Sequence, residues 1–350
     1  MSVLKVLLWP LAALYNLATR LRNYLYDIGH KPSFSFESVI ISVGNLNVGG
    51  SGKTPMIEYL VRLLKDRYSV AILSRGYGRK TKGFRLANDA DDATTLGDEP
   101  YQYYRKFGSE VMVAVGEERA LAIPTLLNEP KEPQIILLDD AFQHRSVVPQ
   151  FSILLTDASK PFYSDHVLPM GRLRESRKGA KRADAIIITK CSPRQQLNEE
   201  EVKKYAGDKP VFFSGLTYME PQPFQEGSKL ARRIILVTGI ATSSYLQEHV
   251  STHYQLVKHF QFGDHHAYTL ADIEAIQTYA SANGEVSILT TEKDMVKLIA
   301  PQFHSQLQPS IWFYLPIQTA FLKSGSEFDD MISRLVETRL AELKQNPLEE

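Results

Sequence analysis

The stretch Gly44–Pro55, GNLNVGGSGKTP, decides how the chain is read. Before it runs SVIISV (Ser38–Val43), rich in β-branched residues, and after it TPMIEYLVRLL (Thr54–Leu64), with apolar residues at helical spacing. Strand, glycine-rich turn and helix in that order form the frame of a phosphate-binding loop, in which successive backbone N–H groups curl round an anion at a helix N-terminus. Asn47, Val48, Gly49, Gly50, Ser51 and Gly52 form the loop, Lys53 the charge that reaches the outer phosphates, and Thr54 the hydroxyl for magnesium. The general pattern GxxxxGK[ST] asks for glycine where Asn47 stands. Asparagine is the residue type next most tolerant of left-handed dihedrals, so the departure is expected to cost little.

A second stretch supports a nucleotide site. QIILLDD (Gln134–Asp140) is an apolar strand ending in two carboxylates, Asp139 and Asp140, which repel each other unless a cation sits between or near them. A regulatory GTPase would carry DxxG after that strand and [NT]KxD to read guanine. The chain has DDAF (Asp139–Phe142) and TKCS (Thr189–Ser192), so both tests fail at the deciding residue.

Outward from the loop the signals keep alternating. Strands are expected at EVMVAVG, PQIILLDDAF, FSILLTDA and ADAIIITKC, with helices between, which predicts a P-loop NTPase-like, mostly parallel sheet sandwiched by helices over residues 31–191. Residues 192–232, broken by Pro193, Pro210, Pro221 and Pro223, read as a linker with short strands at VFFSG and LTYME. A second alternation, RIILVTGIA, YQLVKHF, a helix over Leu270–Ala282, VSILTT and SIWFYLPI, predicts a smaller α/β domain over 233–350, closed by a helix from Glu327 to Lys344.

Composition bounds the remaining possibilities. Among 350 residues, Lys plus Arg and Asp plus Glu number 40 each, so bulk charge points to no nucleic-acid partner. Cys191 is the only cysteine, which excludes an intrachain disulfide and fits a reducing compartment. Residues 1–30 hold 14 uncharged residues from Val6 to Thr19, fewer than the ~20 needed to span a bilayer, and Pro10 is expected to disturb the first turns. Leu4, Leu7, Leu8, Leu11, Leu14, Tyr15, Ala18, Leu21 and Leu25 recur at three and four, the stripe of an amphipathic helix. Such a stripe either packs on its own domain or lies in a membrane interface, where Trp9, Tyr15, Tyr24 and Tyr26 would suit the headgroup boundary and Arg20 and Arg22 anionic lipid.

Three clusters remain. LGDEP (Leu96–Pro100) places Asp98 where a helix cap would stand, FGDHHAYT (Phe262–Thr269) sets Asp264 beside His265 and His266, and GRLRESRKGAKR (Gly171–Arg182) is a basic loop placed to grip an anion. Together with VGNLNVGGSGKTP, LSRGYGR, ILLDDAFQHR and LTTEKD, in this order along residues 43 to 294, the chain resembles the tetraacyldisaccharide 4'-kinases. Asn47 belongs to that resemblance, because these kinases do not keep the leading glycine. Two departures stand out: Ser176 where the family often has proline after LRE, and TGIATS where it often has SGIAxP.

The resemblance implies an ATP- and magnesium-dependent transfer of the γ-phosphate to the 4'-hydroxyl of a tetraacylated disaccharide 1-phosphate, the lipid A precursor. It implies Asp98 as the base, His265 as its partner across a cleft, Lys53 and Arg75 on the phosphates, and Thr54, Glu99, Asp139 and Asp140 as metal candidates. Arg119, Gln143, His144, Arg174 and Glu175 would meet the sugar and its 1-phosphate. A lipid acceptor also implies that the N-terminal helix attaches to the membrane at the cytoplasmic face of the inner membrane, with the chain acting as a monomer. The alternative is a membrane-associated P-loop ATPase that switches a protein partner.

Overall fold

The computed structural model describes residues 3–192 and 199–345, with side chains from Leu7 onward. Leu4 of the predicted stripe therefore has no described side chain, and Pro193 of the predicted linker lies outside the described residues.

Strands β1 (Val39–Asn45), β2 (Val70–Ser74), β3 (Arg85–Leu86), β4 (Met112–Val115), β5 (Ile135–Asp139), β6 (Phe151–Asp157), β7 (Ala185–Thr189) and β8 (Val211–Tyr218) belong to one large sheet. Strands β9 (Gln222–Pro223), β10 (Arg233–Thr238), β11 (Gln255–Gln261), β12 (Ser287–Thr291) and β13 (Trp312–Leu315) form a second. Strand β14 (Ile317–Lys323) then returns to the first, giving the order β14-β8-β7-β6-β1-β5-β2-β4-β3. Its pairings are parallel except at the edges, where β3 and β14 run antiparallel to β4 and β8.

Central β1 is buried along its whole length, as a strand covered on both faces must be. Successive residues point to opposite faces. Val39, Ile41 and Val43 pack with helix α2 (Lys53–Leu64) through Met56, Ile57 and Leu60, whereas Ile40 packs with α5 (Arg119–Leu127) through Ala122 and Ile123. The register between β1 and β5 pairs Val43 with Asp139, so the carboxylate emerges beside the phosphate loop, at the C-terminal end of the strands where such sheets bind ligands. Short α3 (Ala93–Leu96) leads into α4 (Asp98–Phe107), and α6 (Glu199–Ala206) packs near β7.

In the smaller sheet, ordered β11-β10-β12-β13-β9, one face packs on α7 (Ser244–His253) and the other on α8 (Leu270–Ala282). Helix α9 (Glu292–Leu298) follows β12 directly and faces the large domain.

The predicted boundaries need correcting here. SIWFYLPI is not one strand: Pro316 separates β13 in the small sheet from β14 in the large one. The C-terminal helix α10 (Gly325–Gln345) does not close the second domain, because Phe328, Ile332 and Val336 fill the core between β1 and α2. Tyr59 of α2 donates to Asp329 at 2.7 Å and fixes the helix there. The predicted linker likewise contains a full strand of the large sheet, β8, spanning VFFSG and the start of LTYME.

The N-terminal helix α1 (Val3–Asp27) runs through Pro10 without interruption, contrary to the expected disturbance. Its apolar residues do not enter a core. Leu7, Leu11, Leu14, Leu17, Leu21 and Tyr24 are exposed, with Leu7 at 69% and Leu14 at 65%, and Ala12 is its one buried residue among the described side chains. Polar contacts hold its other face: Tyr15 donates to the Arg174 carbonyl at 2.9 Å, Arg22 to the Gln143 carbonyl at 2.9 Å, and Asn23 to Glu175 at 2.6 Å. Among the described residues no helix is long and apolar enough to cross a membrane.

Candidate active site

The phosphate loop leaves β1 and enters α2 at Gly52, whose left-handed backbone (φ 83°) no branched residue would adopt without strain. Asn47 is not left-handed, which corrects the reason expected for its tolerance. It bridges to Leu173 and donates its side-chain amide to Asp165 at 3.0 Å, so this position needs a hydrogen-bonding side chain. Thr189 at the end of β7 donates to the Ser51 carbonyl at 2.8 Å, and Lys190 to the Gly50 carbonyl while pairing with Asp157 at 2.9 Å. The TKCS stretch that fails as a guanine reader thus braces the phosphate loop.

Lys53 lies 3.6 Å from Asp140, which Arg174 grips in bidentate fashion at 2.8 and 3.0 Å. Burial opposes ionisation of Asp140, but Lys53 and then Arg174 outweigh it and hold the carboxyl below its ordinary value. Asp139 behaves in the opposite way. Burial, and then the Asp140 charge, push it up to about 6. Ser74 donates to one of its oxygens at 3.2 Å, and the other is buried without a partner. A buried carboxylate oxygen left unpaired is costly unless a ligand completes it, and so is the buried, unpartnered Ser51 hydroxyl. These groups fit a hydrated magnesium ion held by one carboxylate, the Thr54 hydroxyl and phosphate oxygens, the sparse protein ligation this ion prefers.

The other side of the cleft is built differently. Asp98 opens α4, but it is not the helix cap: Gly97 is, with φ 95° and no room for a side chain against the Tyr77 carbonyl. The Asp98 side chain is therefore free to face the cleft, where His265 of the second domain brings Nδ1 to 3.5 Å. Burial raises the Asp98 carboxyl above its ordinary value, opposed first by Lys297 and then by Lys293 and His265. Glu99 pairs with Lys293 at 2.9 Å, and although burial opposes ionisation, Lys293 holds its carboxyl low. Its charge also contributes to the upward shift of Asp139.

The remaining predicted residues separate into two groups. Gln143, His144 and Arg174 line one wall together. Gln143 donates to the Asn45 carbonyl at 2.9 Å, and His144 is pushed down to about 4 by burial, then Arg119 and Arg75, so its ring is neutral at neutral pH. Glu175 and Arg119 depart from the expectation of substrate contact. Buried Glu175 accepts from Asn23, Gln143 at 3.1 Å and Arg182 at 2.7 Å. Arg119, 1% exposed, donates to the Gly116 carbonyl and to the Asp139 carbonyl at 3.3 Å, bracing the strand end from behind. Ser176, where proline was often expected, takes φ −55° and ψ 144°, a conformation proline shares.

Sequence reasoning missed Lys190 and Lys293. A positive φ marks the first: among the described residues only Asp140, Lys190, His265 and Ser324 adopt it without being glycine, and three of the four belong to this site. In the second domain Asp294 of LTTEKD accepts the Gly239 N–H at 2.8 Å and pairs with Lys297 at 3.0 Å, which ties TGIATS to α9 despite its departures.

The family model described as tetraacyldisaccharide-1-P 4'-kinase matches residues 4–337. The chain is 41% identical to the tetraacyldisaccharide 4'-kinase of Flavobacterium johnsoniae, covering 97% of this chain and 99% of that one. It is 38% identical to that of Cytophaga hutchinsonii, covering 99% and 100%. Among solved structures, LpxK from Aquifex aeolicus in complex with ATP superposes with a TM-score of 0.75 at 27% identity, covering 95% of this chain and 100% of that one. The phosphate loop, the paired aspartates and the interdomain Asp98–His265 contact thus lie in a chain that belongs to the tetraacyldisaccharide-1-P 4'-kinase family.

Proposed function

We infer that the protein is a lipid kinase that transfers the γ-phosphate of ATP to the 4'-hydroxyl of tetraacyldisaccharide 1-phosphate. The observation that carries the mechanism is the approach of Asp98 and His265 to 3.5 Å from two different domains. The acceptor hydroxyl gives its proton to Asp98 as its oxygen bonds to the γ-phosphorus, and the bond to the β-phosphate oxygen breaks to release ADP. Lys53 and the loop N–H groups hold the phosphates, with Arg75 as a further cation on them. Thr54 and Asp139 would hold magnesium, which when bound neutralises charge on the phosphate oxygens. Asp140, already satisfied by Lys53 and Arg174, is the less suited of the two aspartates as a ligand. Arg174, Gln143 and His144 form the wall for the sugar and its 1-phosphate, and Arg119 and Glu175 support that wall.

The acceptor keeps its acyl chains in a bilayer, so the kinase must work at the surface. The exposed leucine stripe of α1 supports attachment in the interface, since fully burying each leucine contributes about 1.5–3 kcal/mol. The same helix holds the Arg174–Glu175 loop by its polar face, which sets the acceptor wall next to the lipid. We place this attachment at the cytoplasmic face of the inner membrane, where ATP is available. The described site is complete within one chain, which supports a monomer as the working unit.

Transfer of label from γ-labelled ATP to tetraacyldisaccharide 1-phosphate in mixed micelles tests the reading. Labelled lipid is expected; ATP hydrolysis without labelled lipid would instead favour an ATPase that switches a partner.

A further inference from the structure

Lys293, in the first turn of α9, touches two groups of the acceptor side at once. Its ammonium lies 2.9 Å from Glu99 and 3.1 Å from Nε2 of His265. An ammonium has three donors and no acceptor, so the imidazole nitrogen facing it must accept. An imidazolium offers donors at both nitrogens and cannot make this contact. A ring that accepts at Nε2 carries its proton on Nδ1, the nitrogen 3.5 Å from Asp98.

We propose that Lys293 is a positioning residue that selects the Nδ1–H tautomer of His265 and thereby makes His265 a hydrogen-bond donor to Asp98. The division of labour in the base pair follows. With Nδ1 already protonated, His265 cannot take a proton from Asp98 through that nitrogen, so Asp98 keeps the proton it receives from the acceptor. His265 orients the Asp98 carboxylate and leaves one oxygen free for the hydroxyl.

The surroundings support this assignment. Lys297, on the same face of α9, is committed to Asp294 and to the His266 carbonyl at 3.2 Å, so Lys293 is the cation that reaches the ring. Tyr77 meets the His265 ring edge-on at 5.9 Å between centroids, and the His265 N–H is held by the Gly239 carbonyl at 3.2 Å. The ring is thus met at its Nε2 and by Tyr77, with its backbone held, and its Nδ1 faces Asp98 at 3.5 Å. On the far side of α9, neighbouring Glu292 pairs at 2.7 Å with Lys106 of α4, which also holds Glu58 of α2 at 2.7 Å. The helix carrying Lys293 is therefore tied through Lys106 to α4 and to the phosphate-loop helix.

This inference rests on the kinase reading for its rate consequences but not for its spectroscopic one. The test uses the full-length protein labelled with ¹⁵N at histidine, with the His265 signals assigned by their loss in His265→Gln. At a pH where the ring is neutral, the wild type and Lys293→Arg, which is also donor-only, are expected to show Nδ1 protonated. Lys293→Met and Lys293→Gln, the second kept in case the first does not fold, are expected to lose that preference. In phosphate transfer, Lys293→Met should lower kcat about ten- to a hundredfold, the rate equivalent of one hydrogen bond to a charged group, with the KM for ATP nearly unchanged and with Arg restoring most of the rate. Protonation at Nε2 in the wild type overturns the proposal, as does a rate loss in Lys293→Met without a change of tautomer, since the loss would then run through Glu99. Absence of lipid phosphorylation in the wild type would instead count against the kinase reading and leave the tautomer assignment standing.

Discussion

The two halves of the site are built on different principles. On the nucleotide side, Lys53 opens α2 just after the phosphate loop that leaves β1, Asp139 ends β5 and Asp140 follows it, and the register that pairs Val43 with Asp139 brings the two strand ends together. On the acceptor side, Asp98 and His265 belong to separate domains and meet only because α9 lies against α4. A sheet holds its residues through a continuous hydrogen-bond ladder, whereas an interdomain contact holds through a few side-chain pairs. The first half is set within one sheet, and the second depends on the side-chain pairs that join the two domains.

Mutations should separate the halves, and the largest effect is expected on turnover. Asp98→Ala and His265→Ala should each lower kcat by about 10²–10⁴ while ATP binding, followed by calorimetry with magnesium, changes little. Lys53→Ala should lower turnover by a comparable factor and weaken ATP binding as well. Equal weakening of ATP by Asp98→Ala would erase the distinction and make Asp98 part of the nucleotide site.

Next in size is a contrast between the two end helices. Both carry apolar residues at three and four, but Phe328 of α10 is buried in the large domain's core and Leu14 of α1 is exposed. Phe328→Ala should cost about 3–5 kcal/mol of stability by chemical denaturation. Leu14→Ser with Leu21→Ser should change stability by less than about 0.5 kcal/mol per site, yet release the protein from liposomes that the wild type binds. Unchanged liposome binding, or a large loss of stability, would show that the exposed stripe has a partner within the protein.

A smaller effect distinguishes the paired aspartates by pH. The folded-state value of Asp139 is raised to about 6, above the ordinary carboxyl value, so its contribution to stability is full below about pH 4 and is lost as pH rises through about 6. For the metal-free protein the loss should approach roughly 3 kcal/mol at most, and Asp139→Asn should remove that dependence. Asp140, held low by Lys53 and Arg174 against the effect of burial, has the opposite sign: its contribution is present above the ordinary carboxyl value and lost on acidification. Magnesium with nucleotide should flatten the Asp139 limb by giving its unpaired oxygen a ligand.

Much of the large domain was legible because its signals are local. β-Branched runs bounded by turns marked β1, β5, β6 and β7, and the glycine-rich turn between β1 and α2 marked the nucleotide site. The domain boundary was not legible at SIWFYLPI, since one apolar run crosses from one sheet to another and periodicity carries no sheet membership. Nor did the pattern of α10 reveal its destination: an apolar stripe states that something covers it, and the chain must fold before that surface exists. The same limit applies to Arg119 and Glu175, for which the family resemblance implied substrate contact but which are buried and brace the site instead.

By itself the sequence determined the phosphate loop, the carboxylate pair and the amphipathic character of both ends, because each depends on neighbours within a few residues and on backbone and side-chain preferences that act locally. Only the tertiary structure decided how closely Asp98 and His265 approach, that Lys293 touches that histidine, and that the leucines of α1 point outward while Phe328 points in. Those outcomes depend on which surfaces meet when two sheets pack, and that is a property of the whole chain.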